Sequence, residues 1–160
     1  MYDFKADPGL PTAEMYRELV GAAGALVDGE SDPVANMANV AALIWQFVPR
    51  LNWAGFYRVI GDELVLGPFV GKPACIRIPM GQGVCGAAAA NGETQLVADV
   101  HAFPGHIACD GDTLSELVVP VLRNGKVIAV IDLDSPESAR FDGKDAAGIE
   151  ALARAVESHI

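Results

Sequence analysis

Leu117-Val118-Val119-Pro120-Val121-Leu122-Arg123-Asn124-Gly125-Lys126-Val127-Ile128-Ala129-Val130-Ile131-Asp132-Leu133 is the stretch that decides the fold. Two runs rich in β-branched residues flank Asn124-Gly125. A type I′ turn needs positive φ at both central positions, which Asn and Gly tolerate best. The stretch therefore predicts an antiparallel hairpin, 117–123 with 126–133. With a two-residue loop, Leu122 is expected opposite Val127, Val121 opposite Ile128, and Leu117 opposite Asp132. Side chains alternate along strands, so Asp132 and Asp134 are expected on one face with Leu117, Val119 and Val121. Regular pairing leaves Glu116 on the other face. Pro120, however, sits inside the first strand, where proline marks an edge or a bulge. A bulge slips the alternation by one residue and would bring Glu116 round to Asp132 and Asp134. Like-charged carboxylates on one face repel, and a bound cation would relieve them. The bland alternative is a solvated strand exit at Asp134-Ser135-Pro136.

Outward from the hairpin, helices and strands separate cleanly. Met15, Leu19, Ala22, Ala23 and Leu26 recur at helical spacing, predicting a helix over 13–27. Asp32 then reads as an N-cap with Pro33 at the first helical position. The stripe Val34, Met37, Val40, Ala41, Ile44, Trp45 and Val48 follows and ends at Pro49. Residues 53–60 and 63–70 predict a second hairpin around Gly61-Asp62. A short strand is expected over 75–79, a helix over 83–91 closed by Asn91-Gly92, and a strand over 95–98. Residues 99–113 have no period and hold two of the three histidines; loops of this length are mostly functional or mobile. Asp142 caps a last helix bearing Ile149, Leu152 and Val156. This order predicts an α+β fold in which helices pack on one face of an antiparallel sheet.

Composition bounds the function. The chain has 160 residues, 51% of them hydrophobic, and a net charge of −10, which fits one domain over 1–160 with its own core. That acidity opposes binding to nucleic acid phosphates or an anionic membrane surface. Met1 to Pro8 carries acids and a proline where a signal peptide would place an apolar run. A cytoplasmic setting is expected, in which the three cysteines rest as thiols and any disulfide is transient.

Those cysteines admit three readings. Free cysteines are among the most buried residue types. Cys75, Cys85, His101, His106 and Cys109 offer zinc ligands, but no close C-x-x-C pair accompanies them, so no metal is expected. As a redox thiol, Cys109 stands out, because Cys109-Asp110-Gly111-Asp112 lies in a polar loop. Gly81-Gln82-Gly83-Val84-Cys85-Gly86 matches G-x-G-x-x-G, yet the chain is not built of βαβ units, and the glycines read better as a tight turn into a helix.

Together, Leu51-Asn52-Trp53-Ala54-Gly55-Phe56-Tyr57, Gly67-Pro68-Phe69 with Cys75, Gly83-Val84-Cys85-Gly86, His106-Ile107-Ala108-Cys109-Asp110, Ser115-Glu116-Leu117-Val118-Val119-Pro120 and Asp132-Leu133-Asp134-Ser135 resemble the GAF-domain free methionine-(R)-sulfoxide reductases. The resemblance runs from about residue 12 to 157 and implies a GAF-like sheet with a pocket over the face away from the helices. It implies Cys109 as the attacking thiol, Cys75 as the thiol that closes a disulfide, and Cys85 as a secondary cysteine. Glu116, Asp132 and Asp134 would be pocket acids, with Trp53 and Tyr57 walling the thioether end. Ile107 and Ala108 would hold the substrate carboxylate through N–H groups, with Asp110 also at the substrate. No cofactor is implied; thioredoxin or a similar dithiol would be co-substrate and partner. Related proteins suggest a homodimer. The competing class is a non-catalytic GAF sensor of a small ligand or of redox state.

Overall fold

The computed structural model describes residues 4–107 and 110–160. In chain order it runs α1 (Thr12–Val27), α2 (Pro33–Phe47), β1 (Trp53–Ile60), β2 (Glu63–Gly71), β3 (Arg77–Pro79), α3 (Gly83–Asn91), β4 (Gln95–Val97), β5 (Ser115–Arg123), β6 (Lys126–Ser135) and α4 (Gly143–Val156). The strands form one sheet of order β3-β2-β1-β6-β5-β4, and the pairings are antiparallel. The expected α+β class and GAF-like sheet are present.

The local signals act as the chemistry requires. The Asp32 side chain accepts from Ala35 N at 2.8 Å, with Pro33 at the helix start. Asp142 accepts from Lys144 N and Asp145 N while the Asp145 side chain accepts from Asp142 N, closing a capping box. Asn124 and Gly125 both have positive φ, 53° and 75°, as the hairpin turn demands. The short strand expected over 75–79 is confined to Arg77–Pro79. The loop after β4 contains one 3-10 turn, Val100–Ala102, with the Asp99 side chain accepting from His101 N.

Two apolar layers sandwich the sheet. On one face α1, α2 and α4 pack on Ala54, Phe56, Leu117, Val119, Val121, Ala129, Ile131 and Leu133. On the other, α3 packs over Trp53, Tyr57, Val118 and Val130. The helices therefore do not all share one side. Gly83-Val84-Cys85-Gly86-Ala87-Ala88-Ala89-Ala90 is small and apolar all round, so it has no polar face to present to water and buries itself close against the sheet. Its close approach is visible at Gly86, where an added Cβ would lie 2.6 Å from the Pro79 carbonyl oxygen. Val34 and Trp45, placed in the core stripe of α2 by periodicity, are 48% and 41% exposed. Asn36, Leu43 and Phe47 are buried instead. The buried face of α2 is thus rotated from the one expected.

Candidate functional site

The acidic site is assembled by strand register. Leu122 pairs with Val127, but Val121 pairs with Ala129, leaving Ile128 as an extra residue on β6. From there to the strand ends the pairing is offset by one: Leu117 meets Leu133, Val118 meets Asp132, and Glu116 meets Asp134. The slip inferred at Pro120 is present, but the extra residue lies in the partner strand, and Pro120 itself pairs regularly with Val130. Asp132 and Asp134 accordingly leave the face of Leu117, Val119 and Val121 and join Glu116 on the opposite one, beneath α3. On the other side of β6, Gly55 faces Asp132 and Trp53 faces Asp134.

Above these residues lies a partly open hollow of about 550 Å³, its solvent-filled mouth included. Trp53, Tyr57, Cys85, Ile107, Asp110, Glu116, Asp132 and Asp134 all line it. Trp53 and Tyr57 form a stacked aromatic wall, with ring centroids 5.9 Å apart, and Phe69 backs Trp53 at 5.2 Å. Trp53 Nε1 donates to the Lys72 carbonyl, and Tyr57 OH donates to the Cys75 carbonyl at 3.0 Å. The wall is thereby fixed to the segment carrying Cys75. Gly55 has no side chain because an added Cβ would fall 2.4 Å from Phe69 Cβ.

The floor is a cluster of acids, Glu116 and Asp132 buried and Asp134 half-buried. Glu116 and Asp132 are 6% and 5% exposed. Cys85 Sγ lies 3.9 Å from Glu116 Oε1, and Asp132 Oδ1 has no hydrogen-bond partner. Burial, and then the charge of Asp132, push the Glu116 carboxyl well above its ordinary range. Burial raises Asp132 to about 7, opposed by hydrogen bonds from Cys85 and Glu116. Burial and then Asp132 likewise raise Asp134. The floor therefore retains protons at pH values where free carboxylic acids have lost theirs. The Cys85 thiol is pushed up by burial and then by Asp132 and Glu116. It is a free but poorly ionised thiol. Cys75 is disulfide-bonded. Ala108 and Cys109 lie outside the described residues.

Lys72 lines the pocket with no sequence signal for a site. Lys72 bridges the rim, its ammonium 3.1 Å from Asp110 Oδ1 and 2.6 Å from Asp112 Oδ2. Asp110 also accepts from Asn52 Nδ2 and from Asp112 N, which with Lys72 draw its carboxyl below the usual range, the Asp112 N–H most of all. Asn52 donates on to Thr113 Oγ1 at 3.0 Å. His106 brings Nε2 to 3.9 Å from Glu116 Oε2, and burial, then His101, lowers its basicity. A lone lysine between Gly71 and Pro73 offers no pattern by which its contacts could be found; the sequence marks His106 only as a candidate metal ligand and as part of the resemblance, not for its place beside Glu116. The glycine motif enters no dinucleotide fold: Gly81 and Gly83 take positive φ, 81° and 62°, to turn the chain from β3 into α3.

The GAF domain model matches residues 12–160. The free methionine-R-sulfoxide reductase of Escherichia coli is 45% identical over 144 residues, covering 90% of this chain and 87% of that protein. The X-ray structure of a free methionine-R-sulfoxide reductase from Neisseria meningitidis, in complex with its substrate, superposes with a TM-score of 0.94 at 43% identity, covering 99% of this chain and 95% of that one. A Burkholderia vietnamiensis protein, provisionally described as a GAF sensor, superposes with a TM-score of 0.91 at 54% identity over 94% and 96% of the two chains. By model, sequence and structure alike, the chain belongs to the GAF family and, within it, to the family of free methionine-R-sulfoxide reductases.

Proposed function

We propose that this protein reduces free L-methionine-(R)-sulfoxide to L-methionine by thiol chemistry. The observation that carries the reading is the floor of buried Glu116 and Asp132 with half-buried Asp134, beneath the Trp53–Tyr57 wall. One molecule needs both: an amino acid whose ammonium pairs with carboxylates and whose thioether end lies against aromatic rings. A methionine residue within a protein has an amide in place of the ammonium, so the acids favour the free amino acid.

In this reading the Cys109 thiolate attacks the sulfoxide sulfur while an acid protonates the departing oxygen. Glu116, held protonated by burial and by Asp132, supplies that proton. The oxygen passes to Cys109 as a sulfenic acid and methionine leaves. Cys75 condenses with the sulfenic acid, forming a disulfide and releasing water. A thioredoxin-type dithiol then exchanges with that disulfide and restores both thiols. Cys85, buried and poorly ionised, is the secondary thiol. Asp132 and Asp134 hold the ammonium, backbone N–H groups at Ile107 and Ala108 hold the carboxylate, and Asp110 orders the rim through Lys72 and Asn52. A reducing cytoplasm is the fitting compartment, and a homodimer the fitting assembly.

The test is turnover. Free methionine-(R)-sulfoxide and a dithiol should yield methionine, and Cys109→Ser should abolish that yield while substrate still binds. Binding without turnover in the parent protein would instead establish the sensor reading.

A further inference from the structure

Beneath the pocket, a thiol and two carboxylate donors converge. Cys85 Sγ, a Glu116 carboxylate oxygen and an Asp132 carboxylate oxygen all lie within 4.8 Å of one another, and all three residues are buried. Asp132 Oδ1 has no hydrogen-bond partner. Among the described residues, no Lys or Arg side chain hydrogen-bonds to any of the three. His106 Nε2, 3.9 Å from Glu116 Oε2, stands at the edge of the cluster as a fourth donor. Zinc binds thiolate sulfur at about 2.3 Å and carboxylate oxygen at about 2.1 Å. Donors on opposite sides of such an ion are at most roughly 4.4 Å apart, so small side-chain rotations bring these three onto one centre. The donors stand on three regular elements, α3, β5 and β6, which fix their separation.

We propose that Cys85, Glu116 and Asp132, with His106 closing the set, capture a thiophilic divalent cation of the zinc class. The captured ion occupies the place of the substrate's ammonium and so holds the enzyme inactive. The cation is a reversible blocker and has no part in turnover. A sulfur donor beside two carboxylates favours zinc-like ions over magnesium or calcium, which prefer oxygen alone. When the ion binds, the Cys85 thiol proton and any protons held by the Glu116 and Asp132 carboxyls pass to the buffer; nothing is oxidised or reduced. The blocking role rests on the reductase reading, whereas the metal site itself does not.

The experiment uses the full chain with Cys75 in its disulfide, where Cys85 is the free thiol. Co²⁺ is titrated in and followed by its sulfur-to-metal charge-transfer band, and Zn²⁺ is then added to displace it. One ion per chain is expected, with the band absent in Cys85→Ser. Asp132→Asn and Glu116→Gln should keep the thiol yet weaken binding by about tenfold or more. Circular dichroism confirms that each variant is folded, and the Asn and Gln variants keep the test decisive if the Ser variant is not. Absence of the band, or unchanged affinity in both carboxylate variants, overturns the site. Co²⁺ affinity unaltered by saturating free methionine sulfoxide overturns the blocking role. Turnover is assayed separately in metal-free buffer. A protein that turns over but binds no metal loses this proposal alone, whereas one that binds metal without turning over loses the reductase reading and the blocking role with it, and keeps the metal site.

Discussion

Replacing Asp132 with Asn should make the protein more stable at neutral pH, although it damages the pocket. In the fold, burial raises this carboxyl from its ordinary 3.8 to about 7. Between those values the native state holds a proton that the unfolded chain has released. Stability therefore falls as pH rises through that window and levels off above it. At RT ln 10 for each pH unit, the gap corresponds to on the order of 4 kcal/mol. That is a large part of the stability of a typical domain. Asn keeps the shape and removes the charge, and it also relieves Glu116 and Asp134, both of which Asp132 pushes up. Urea unfolding of parent and variant, measured from about pH 4 to about pH 8, reads the effect directly. The variant's advantage should be small at the acid end and grow to several kcal/mol near neutrality. Two stability curves that stay parallel across the range would show that Asp132 is compensated in the fold, and the electrostatic account of the floor would fail.

Glu116→Gln should lower turnover by about 100-fold or more, the scale of a lost general acid, with substrate affinity changed far less. A variant with normal turnover would remove Glu116 as proton donor. Lys72→Met cuts the exposed bridge to Asp110 and Asp112, so KM for the sulfoxide should rise roughly two- to fivefold, an effect that shrinks in high salt. A KM unchanged at low salt would refute the rim role. Gly148→Ala would set a Cβ 2.2 Å from the Tyr16 ring, where α1 and α4 cross. Overpacking there should cost on the order of 3 kcal/mol in urea unfolding while leaving the pocket chemistry intact, and an unaltered midpoint would mean the helices can separate.

Elements with strong local chemistry were readable before any coordinates. Asn124-Gly125 admits one tight hairpin, and its positive φ values, 53° and 75°, are those the turn requires. Asp32-Pro33 can begin a helix but not continue one, and α2 begins there. What local chemistry does not encode is where a residue is absorbed or which side an element takes. The extra residue in the β5–β6 ladder is Ile128, in the strand without proline, because a slip can be absorbed on either partner with the same result at the far end. Proline points to β5 as the site of the slip, whereas the structure places it in β6; its consequence, Glu116 beside the aspartates, is the same. Trp45 and Val34 satisfy a helical stripe as well as Leu43 and Phe47 do, so periodicity alone could not set the rotation of α2.

The same distinction explains the site. Glu116, Asp132 and Asp134 were legible because acids are conspicuous at the end of an apolar strand, and Cys85 as one of three thiols; Trp53 and Tyr57 are marked as pocket residues only by the family resemblance. Lys72 is an ordinary residue in a short loop, and its importance comes from what lies across the pocket; His106 carries a signal of its own, but not for its place beside Glu116. Long-range pairing of this kind is a property of register. Once the one-residue slip at Ile128 sets Glu116 opposite Asp134, three acids must share a space that contains no lysine or arginine partner among the described residues. The fold tolerates that arrangement only by keeping protons on the floor or by admitting a cation. Both functional proposals are consequences of that single register: an ammonium-bearing substrate supplies the missing charge during turnover, and a thiophilic metal would supply it when the substrate is absent.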